Sequence, residues 1–377
     1  MAEQSNAPLR VALDGTPLLG VPTGVGVFTS SLLEALAVRS DLSLSAYAVS
    51  WRTRDQLPRA VPEGVSTEQE AMPARPLTWL WSHVDRPRAE RFIGQVDVVH
   101  GTNFTVPPTK RAGRIVTVHD LTCIRYPELC QRDTLRYPAL IARALKRGAI
   151  VHTPSAFVAD EVREHFGVSR DRVVPVHSGV PRLPPPDHEG GRAIIDPSRP
   201  YVLSVGTAEP RKDLPGLVRA FGLAATQVPD LSLVLAGPQG WGSEQLDEAI
   251  RDSPVRDRII STGFIEGGVL ASLLGGARAL AYPSVYEGFG FPPLQAMALG
   301  IPVVTTAVGS LKEIAGDAAC FVAVGDNEAL AGALVSVTTD ESYRSILTTA
   351  GLARASDFTW SATAERMTDL YRRVARR

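Results

Sequence analysis

Glu287 is a lone acid in a turn whose residue types could do chemistry. It stands in the run Tyr282-Pro-Ser-Val-Tyr-Glu287-Gly288-Phe289-Gly290-Phe291-Pro-Pro-Leu-Gln295-Ala-Met-Ala-Leu-Gly300. The apolar stretch before it, Ala277 to Ala281, reads as a buried strand. The stretch after it reads as a helix, with Pro292 and Pro293 in the first turn and Gly300 just past the end. A glycine-rich turn between a parallel strand and a helix offers backbone N–H groups and a positive dipole end, where an anionic ligand would sit. An ordinary strand-to-helix turn looks the same, so the rest of the chain has to decide. A second candidate is His119, at the carboxyl end of the strand Ile115 to Val118. There an imidazole points into the crevice where doubly wound sheets bind ligands. It can donate to a hydroxyl or take part in proton transfer, or it can be a hydrogen-bonded structural residue.

The elements that must position these residues alternate strand and helix. Leu9 to Leu13 is a strand. Gly20-Val-Pro-Thr-Gly24-Val-Gly26 follows as a loop, then a helix from about Val27 to Val38. Gly24 and Gly26 carry no side chains, so that loop could cradle phosphates or approach a sugar. The third glycine of a dinucleotide fingerprint is replaced by Thr29, and the next strand, about Leu42 to Val49, ends without the acid that would hold a ribose. Strands at Val96–His100, Ile115–Val118, Ala149–Thr153 and Val173–Val176 complete a first domain, 1–180, with helices over Asp133–Gly148 and after Ser155. Residues 181–200 are rich in proline and charge and read as a linker. A second βα series fills 201–377. Its first strand, Tyr201 to Val205, exits into Gly206-Thr207-Ala-Glu-Pro-Arg211-Lys212-Asp213, and Asp213 can cap the next helix. Arg258 to Ser261 is a later strand, followed by Gly263 and Phe264. The fold class is α/β, two consecutive Rossmann-like domains with strand ends facing a central cleft.

A chain of 377 residues favours two domains. Its formal charge of −1 gives no overall pull toward nucleic acid or membrane. Cys123, Cys130 and Cys320 form no CxxC pair and read as thiols in a reducing compartment. The start, Met1 to Pro8, does not read as a signal peptide, and no apolar run approaches the ~20 residues of a spanning helix. Residues 52 to 95 are poorly patterned apart from Leu77, Trp79, Leu80 and Trp81 among Arg75, Arg86, Arg88 and Arg91. That piece could lie against a lipid surface or pack on its own domain with a solvated basic edge. The helix carrying Arg136, Arg143, Lys146 and Arg147 is a second basic face.

Taken together, these features resemble a retaining glycosyltransferase of family 4 in the two-domain GT-B fold. The Gly20–Gly26 loop resembles the family's amino-terminal glycine loop, and His119 matches the histidine at the end of a strand in the first domain. The loop with Arg211 and Lys212 resembles the basic loop that holds the donor diphosphate. Glu287 to Gln295 resembles the E-x7-E motif. Two departures stand out. Gln295 replaces the second acid, which in the family accepts hydrogen bonds from the nucleotide ribose. Thr207 replaces the arginine that commonly follows the loop's first glycine, so Arg211 would supply the second positive charge. The resemblance implies a nucleotide-diphosphate sugar as co-substrate, GDP-mannose-like or dTDP-rhamnose-like. The acceptor would be a saccharide or a lipid-linked saccharide at the cytoplasmic membrane face, with no nucleic-acid partner. No Asp-x-Asp holds a divalent ion, so no metal and no other cofactor are expected. Glu287 and His119 would contact the donor sugar from the two domains. Arg211, Lys212 and the helix start at Gly288, Phe289, Gly290 and Phe291 would stabilise the leaving diphosphate. Phe264 would stand near the base. The helix after Phe358-Thr359-Trp360 resembles one that crosses back to the first domain. Two other functions stay open: a nucleotide-sugar epimerase, against which the lack of a second carboxylate beside Glu287 speaks, and a non-catalytic binding partner, which Gln295 keeps in play.

Overall fold

The computed structural model describes residues 7–20, 23–68, 70–196 and 198–376. They divide into two compact units, one within Met1–Pro181 and Thr359–Arg377, the other within Arg182–Phe358.

In the first unit, strands and helices alternate as β1 (Leu9–Asp14), α1 (Gly24–Ala37), β2 (Leu42–Tyr47), α2 (Leu57–Ala60), β3 (Ser66–Glu68), α3 (Ala74–His83), α4 (Glu90–Ile93), β4 (Val98–Gly101), β5 (Gly113–Thr117), α5 (Thr122–Arg125), α6 (Tyr137–Lys146), β6 (Ile150–Thr153), α7 (Ala156–Phe166) and β7 (Val173–Pro175). All pairings in the sheet are parallel, in the order β3-β2-β1-β4-β5-β6-β7. Covered on both faces, its strands are near-continuous apolar runs such as Val98-Val99 and Ile115-Val116, which are wholly buried. Thr23 caps α1 by accepting from the Gly26 amide, and Ser155 caps α7 through the Val158 amide.

The second unit runs α8 (His188–Ile194), β8 (Tyr201–Val205), α9 (Leu214–Gln227), β9 (Ser232–Ala236), α10 (Ser243–Asp252), β10 (Ile259–Gly263), α11 (Gly267–Gly276), β11 (Ala279–Tyr282), α12 (Phe291–Ala298), β12 (Val303–Thr306), α13 (Leu311–Ala315), β13 (Cys320–Val322), α14 (Asn327–Thr339) and α15 (Glu341–Ser356). Its parallel sheet has the order β10-β9-β8-β11-β12-β13. Leu217 and Phe221 of α9 and Leu330 and Leu334 of α14 pack with Val202, Leu233 and Val304 of the sheet into one core.

Several sequence readings change. The expected linker is folded into the second unit, with Pro197 outside the described residues. Asp187 caps α8 through the Gly190 amide, and its own N–H donates to the Gly268 carbonyl at the start of α11. Glycines at 190 and 191 let α8 sit against Val269 and Ser272 of α11. Proline content signalled a linker because the segment has one short helix and no strand period. The C-terminal helix, Trp360–Ala375, belongs to the first unit. Its Thr363 hydroxyl donates to the His177 carbonyl, and the Trp360 indole donates to that of Val180. The helix read over Asp133–Gly148 begins as a tight turn at Arg132–Arg136 and becomes α-helical only at Tyr137. The poorly patterned stretch holds α2, β3, α3 and α4, elements too short to show a period. Gly300 ends α12 with φ +72°, as read, and Pro292 and Pro293 lie in its first turn.

Candidate functional site

A doubly wound sheet binds ligands where its strand order reverses. In the second unit that point lies between β8 and β11, which pair in parallel. Their exit loops, 206–213 and 283–290, therefore run side by side, and the Val285 amide donates to the Arg211 carbonyl. Arg211 and Lys212 meet Glu287 here. Lys212 Nζ lies 2.5 Å from Glu287 Oε1, and Arg211 Nη1 lies 2.7 Å from Oε2. Arg211 Nη1 also donates to the Tyr286 carbonyl at 2.8 Å, and Nη2 pairs with Glu209 Oε1 at 2.5 Å. Lys212 Nζ donates to the Tyr282 hydroxyl. Burial raises the Glu287 carboxyl pKa, but the Arg211 and Lys212 charges outweigh it and bring the pKa down to about 2. Burial, and then Arg211, pull the Lys212 ammonium below its usual value against the opposing carboxylates.

The Glu287 oxygens that the sequence reading offers to sugar hydroxyls have partners within the protein as well. Both of its oxygens are committed to the two cations, so its first task is to hold them in place. Its backbone is fixed as well. Ser310, fully buried, donates its N–H and hydroxyl to the Glu287 carbonyl and its hydroxyl also to that of Phe289. Gly309, at φ +56°, leaves no room for a side chain: a Cβ there would stand 2.3 Å from the Glu287 oxygen.

Gly288, Phe289 and Gly290 follow buried in the turn, and Phe291 opens α12 with its ring 5.3 Å from that of Phe289. Thr207 follows Gly206 at the β8 exit, half-buried. Gln295 sits half-buried in the middle of α12. Phe264 lies past the end of β10, two strands from β8, with a 53% exposed side chain. Between the cluster and that edge lies a cavity of about 160 Å³, lined by Gly206, Ala208, Gly237, Asp247, Thr262 and Gly263. Residue types missed Glu209, Tyr282 and Ser310 as parts of this site. Glu209 was visible beside Pro210 and Arg211, but nothing in the sequence showed which way its carboxylate turns.

In the first unit the strand order reverses between β1 and β4. His119 follows β5, next to β4, and its Nε2 donates to the Thr102 carbonyl at 2.8 Å. Phe28 and Phe104 hold the ring edge-on, with centroids 5.1 and 5.8 Å away. Burial lowers its pKa, and the Thr102 carbonyl opposes that. The ring is thus neutral, with Nε2 protonated and Nδ1 left as an acceptor, which removes the donor role open from sequence. Phe104 holds φ +56°, a left-handed conformation that is rare for a bulky residue and frequent at functional sites. Gly24 opens α1 with nothing within 4 Å of where its Cβ would be, while Gly26 packs against the Pro17 carbonyl. Val21 and Pro22 of that loop lie outside the described residues. At the end of β1, burial pushes the Asp14 carboxyl up to about 6, although Thr16 donates to it through hydroxyl and amide.

Two family models match in tandem: Glycosyltransferase Family 4 over residues 22–182 and Glycosyl transferases group 1 over residues 192–354. The chain is 29% identical over 371 residues to O-antigen chain mannosyltransferase B of Escherichia coli, covering 93% of this chain and 96% of that one. It is 26% identical to a D-inositol 3-phosphate glycosyltransferase of Nocardia farcinica, covering 77% of this chain and 69% of the relative. Among solved structures, Anabaena Alr3699/HepE in complex with UDP and glucose superposes with a TM-score of 0.74 at 17% identity, covering 96% and 99% of the two chains. Sucrose-phosphate synthase of Thermosynechococcus elongatus gives 0.73 at 20% identity, covering 97% and 98%. Those structures establish the fold, and the tandem models with the mannosyltransferase relative establish the lineage: the chain belongs to the GT-B glycosyltransferases of the family 4 type.

Proposed function

We propose that this chain transfers a sugar, with retention and without a metal ion, from a nucleotide-diphosphate donor to a saccharide or lipid-linked saccharide on the cytoplasmic side of a membrane. A mannosyl donor such as GDP-mannose fits best, because O-antigen mannosyltransferases are among the relatives; a dTDP-rhamnose-like donor is the second choice. The reading rests above all on Arg211 and Lys212 being fixed by Glu287 at the switch point of the second sheet. In the reaction the bond between the anomeric carbon and the diphosphate oxygen breaks, and one to the acceptor oxygen forms on the same face. The acceptor's hydroxyl proton passes to the departing diphosphate. Arg211, Lys212 and the backbone amides at Phe289–Phe291 oppose the charge that grows on that group. Glu287 and Ser310 already hold the two cations and the turn in place. Among the described residues no group of three or more His, Cys, Asp or Glu could hold a metal ion. His119 offers Nδ1 as an acceptor to a sugar hydroxyl.

A peripheral membrane contact through the first unit belongs to the same reading. Asp85, just past α3, pairs with Arg143 and Arg147 at 3.1 and 2.6 Å, which ties the arginine-bearing α6 to the end of α3, and Trp79 of α3 is 62% exposed. Among the described residues no helix is long and apolar enough to cross a membrane.

The test is a panel of GDP-, dTDP- and UDP-sugars, scored by thermal shift and by release of nucleoside diphosphate with and without oligosaccharide acceptors. Stabilisation and acceptor-dependent release with one donor are expected. A flat response to every nucleotide overturns the proposal, and release of an epimerised donor without acceptor reassigns the reaction.

A further inference from the structure

The four charged groups that pair with one another at the switch point of the second sheet sum to zero: Glu209 and Glu287 against Arg211 and Lys212. A diphosphate approaching a neutral cluster gains little, so one carboxylate has to give way. The two are held very differently. Glu287 grips both cations, one with each oxygen, and its carbonyl is pinned by Ser310. Glu209 reaches one nitrogen, Arg211 Nη2, with one oxygen. The backbone under Glu209 is fixed independently of that contact: the Ala208 amide donates to the Pro238 carbonyl, the Gly242 amide to the Ala208 carbonyl, and the Lys212 amide to the Glu209 carbonyl. The Glu209 side chain can therefore swing without disturbing the loop. Arg211 keeps its place through Nη1, which is bound to Glu287 and to the Tyr286 carbonyl.

We propose that Glu209 is a positioning residue and exchangeable counter-ion: it occupies Arg211 Nη2 in the donor-free protein and yields that nitrogen to the diphosphate of donor or product. This rests on the reading of the cluster as a diphosphate site. When Glu209 withdraws, the remaining three groups carry +1 at the moment the anion arrives. When the product leaves, Glu209 returns to Nη2 and competes the diphosphate off. The carboxylate thus trades affinity for release, as a group must if the enzyme is to turn over.

The experiment compares wild type, Glu209→Gln, Glu209→Ala and Glu287→Gln. Binding of inorganic pyrophosphate, GDP, dTDP and UDP is measured by titration calorimetry, and kcat and KM for the donor are measured separately. Pyrophosphate probes the cluster without the base. Both Glu209 variants should bind it about tenfold more tightly, the scale of one charge-assisted hydrogen bond no longer contested. Their KM should fall, and their kcat should fall as product release slows. Glu287→Gln should bind it more weakly, although it removes the same charge, because Arg211 and Lys212 lose their anchor. Glu328→Gln, an exposed acid on α14, is the control and should bind as wild type does. Unchanged or weaker binding in both Glu209 variants overturns the proposal, as does tighter binding in Glu287→Gln and the Glu209 variants alike. A wild type that binds none of the four ligands overturns the diphosphate reading itself, a different result from either.

Discussion

Lys212 and Glu287 are 75 positions apart in sequence and 2.5 Å apart at their charged atoms. Only the parallel pairing of β8 with β11 brings their loops together. The pair is buried, so its two halves depend on each other. Removing Glu287 would leave Lys212 without its carboxylate in a desolvated site and Arg211 with Glu209 alone, and breaking such a buried pair typically costs about 3–5 kcal/mol. Glu287→Ala is expected to lower the unfolding temperature by several degrees and the turnover number by at least about a hundredfold, the scale of losing a fixed charge stabiliser. Calorimetry and initial rates measure the two effects. Wild-type turnover in this variant would remove the cluster from the reaction.

The same carboxylate sets an acid limit. Its folded pKa, about 2, lies below the ordinary 4.5. Between those values the unfolded chain takes up the proton first. The stability that Glu287 contributes is therefore whole above pH 4.5 and is lost as the pH falls toward 2. In Glu287→Gln the unfolding free energy should depend less on pH across that window, as read by urea titrations at stepped pH.

The first unit carries a second pH dependence with its own window. A buried chain of hydrogen bonds links the Tyr371 hydroxyl, His100, the Thr117 hydroxyl, His152 and the Val176 carbonyl. Burial drives both imidazoles down, His152 to about 3, so each is neutral when folded. The unfolded chain protonates near 6.5 and binds more protons below that pH. Stability should therefore be full above pH 6.5 and fall as the pH drops from there toward 3, by up to about 1.4 kcal/mol per pH unit for each histidine. His152→Asn should make that slope shallower. A slope unchanged by the substitution would place the acid sensitivity elsewhere.

Two residues from the loop after β12 support the Glu287 turn. Ser310→Ala removes hydroxyl bonds to two buried carbonyls and should cost about 1–2 kcal/mol. Gly309→Ala meets both an unfavourable φ and the Glu287 oxygen, so it should cost more. Both should raise the donor KM, because the turn carries the cations' anchor. Equal stability in the two variants would mean that the turn does not need the close approach at Gly309.

Gln295 offers a gain-of-function test. If α12 presents this residue to a ribose, Gln295→Glu adds a charged acceptor and should tighten nucleoside-diphosphate binding about tenfold. A 2′,3′-dideoxy analogue should show no gain. Equal effects on both ligands, or none, would move ribose binding to another residue.

Much of this architecture could be read from the chain. The strands are short apolar runs, some of which, β4, β8, β9 and β10 among them, close on glycine, and the α/β alternation follows from such runs. Arg211, Lys212 and Glu287 could be named because their types are unusual at such ends. Sequence could not show that they bind one another: an exit loop reveals its residues but not the loop beside it, which strand order alone decides. For the same reason Ser310 looked like plain loop, and His119 kept a donor role until Thr102 fixed its tautomer. The segment 181–200 misled because proline and charge look alike in a tether and in a packed strap.

The helix Trp360–Ala375 completes the first unit from the far end of the sequence, with Tyr371 bonded to His100 across 271 positions. On the ribosome this order of synthesis matters. The first sheet emerges early but waits for its last helix while the whole second unit is made, roughly 10–35 s at ordinary elongation rates. During that interval the His100 imidazole lacks its tyrosine, and the apolar surface that Met367, Leu370 and Val374 will cover is bare. The first unit is thus completed only at the end of synthesis, after the whole second unit has been made.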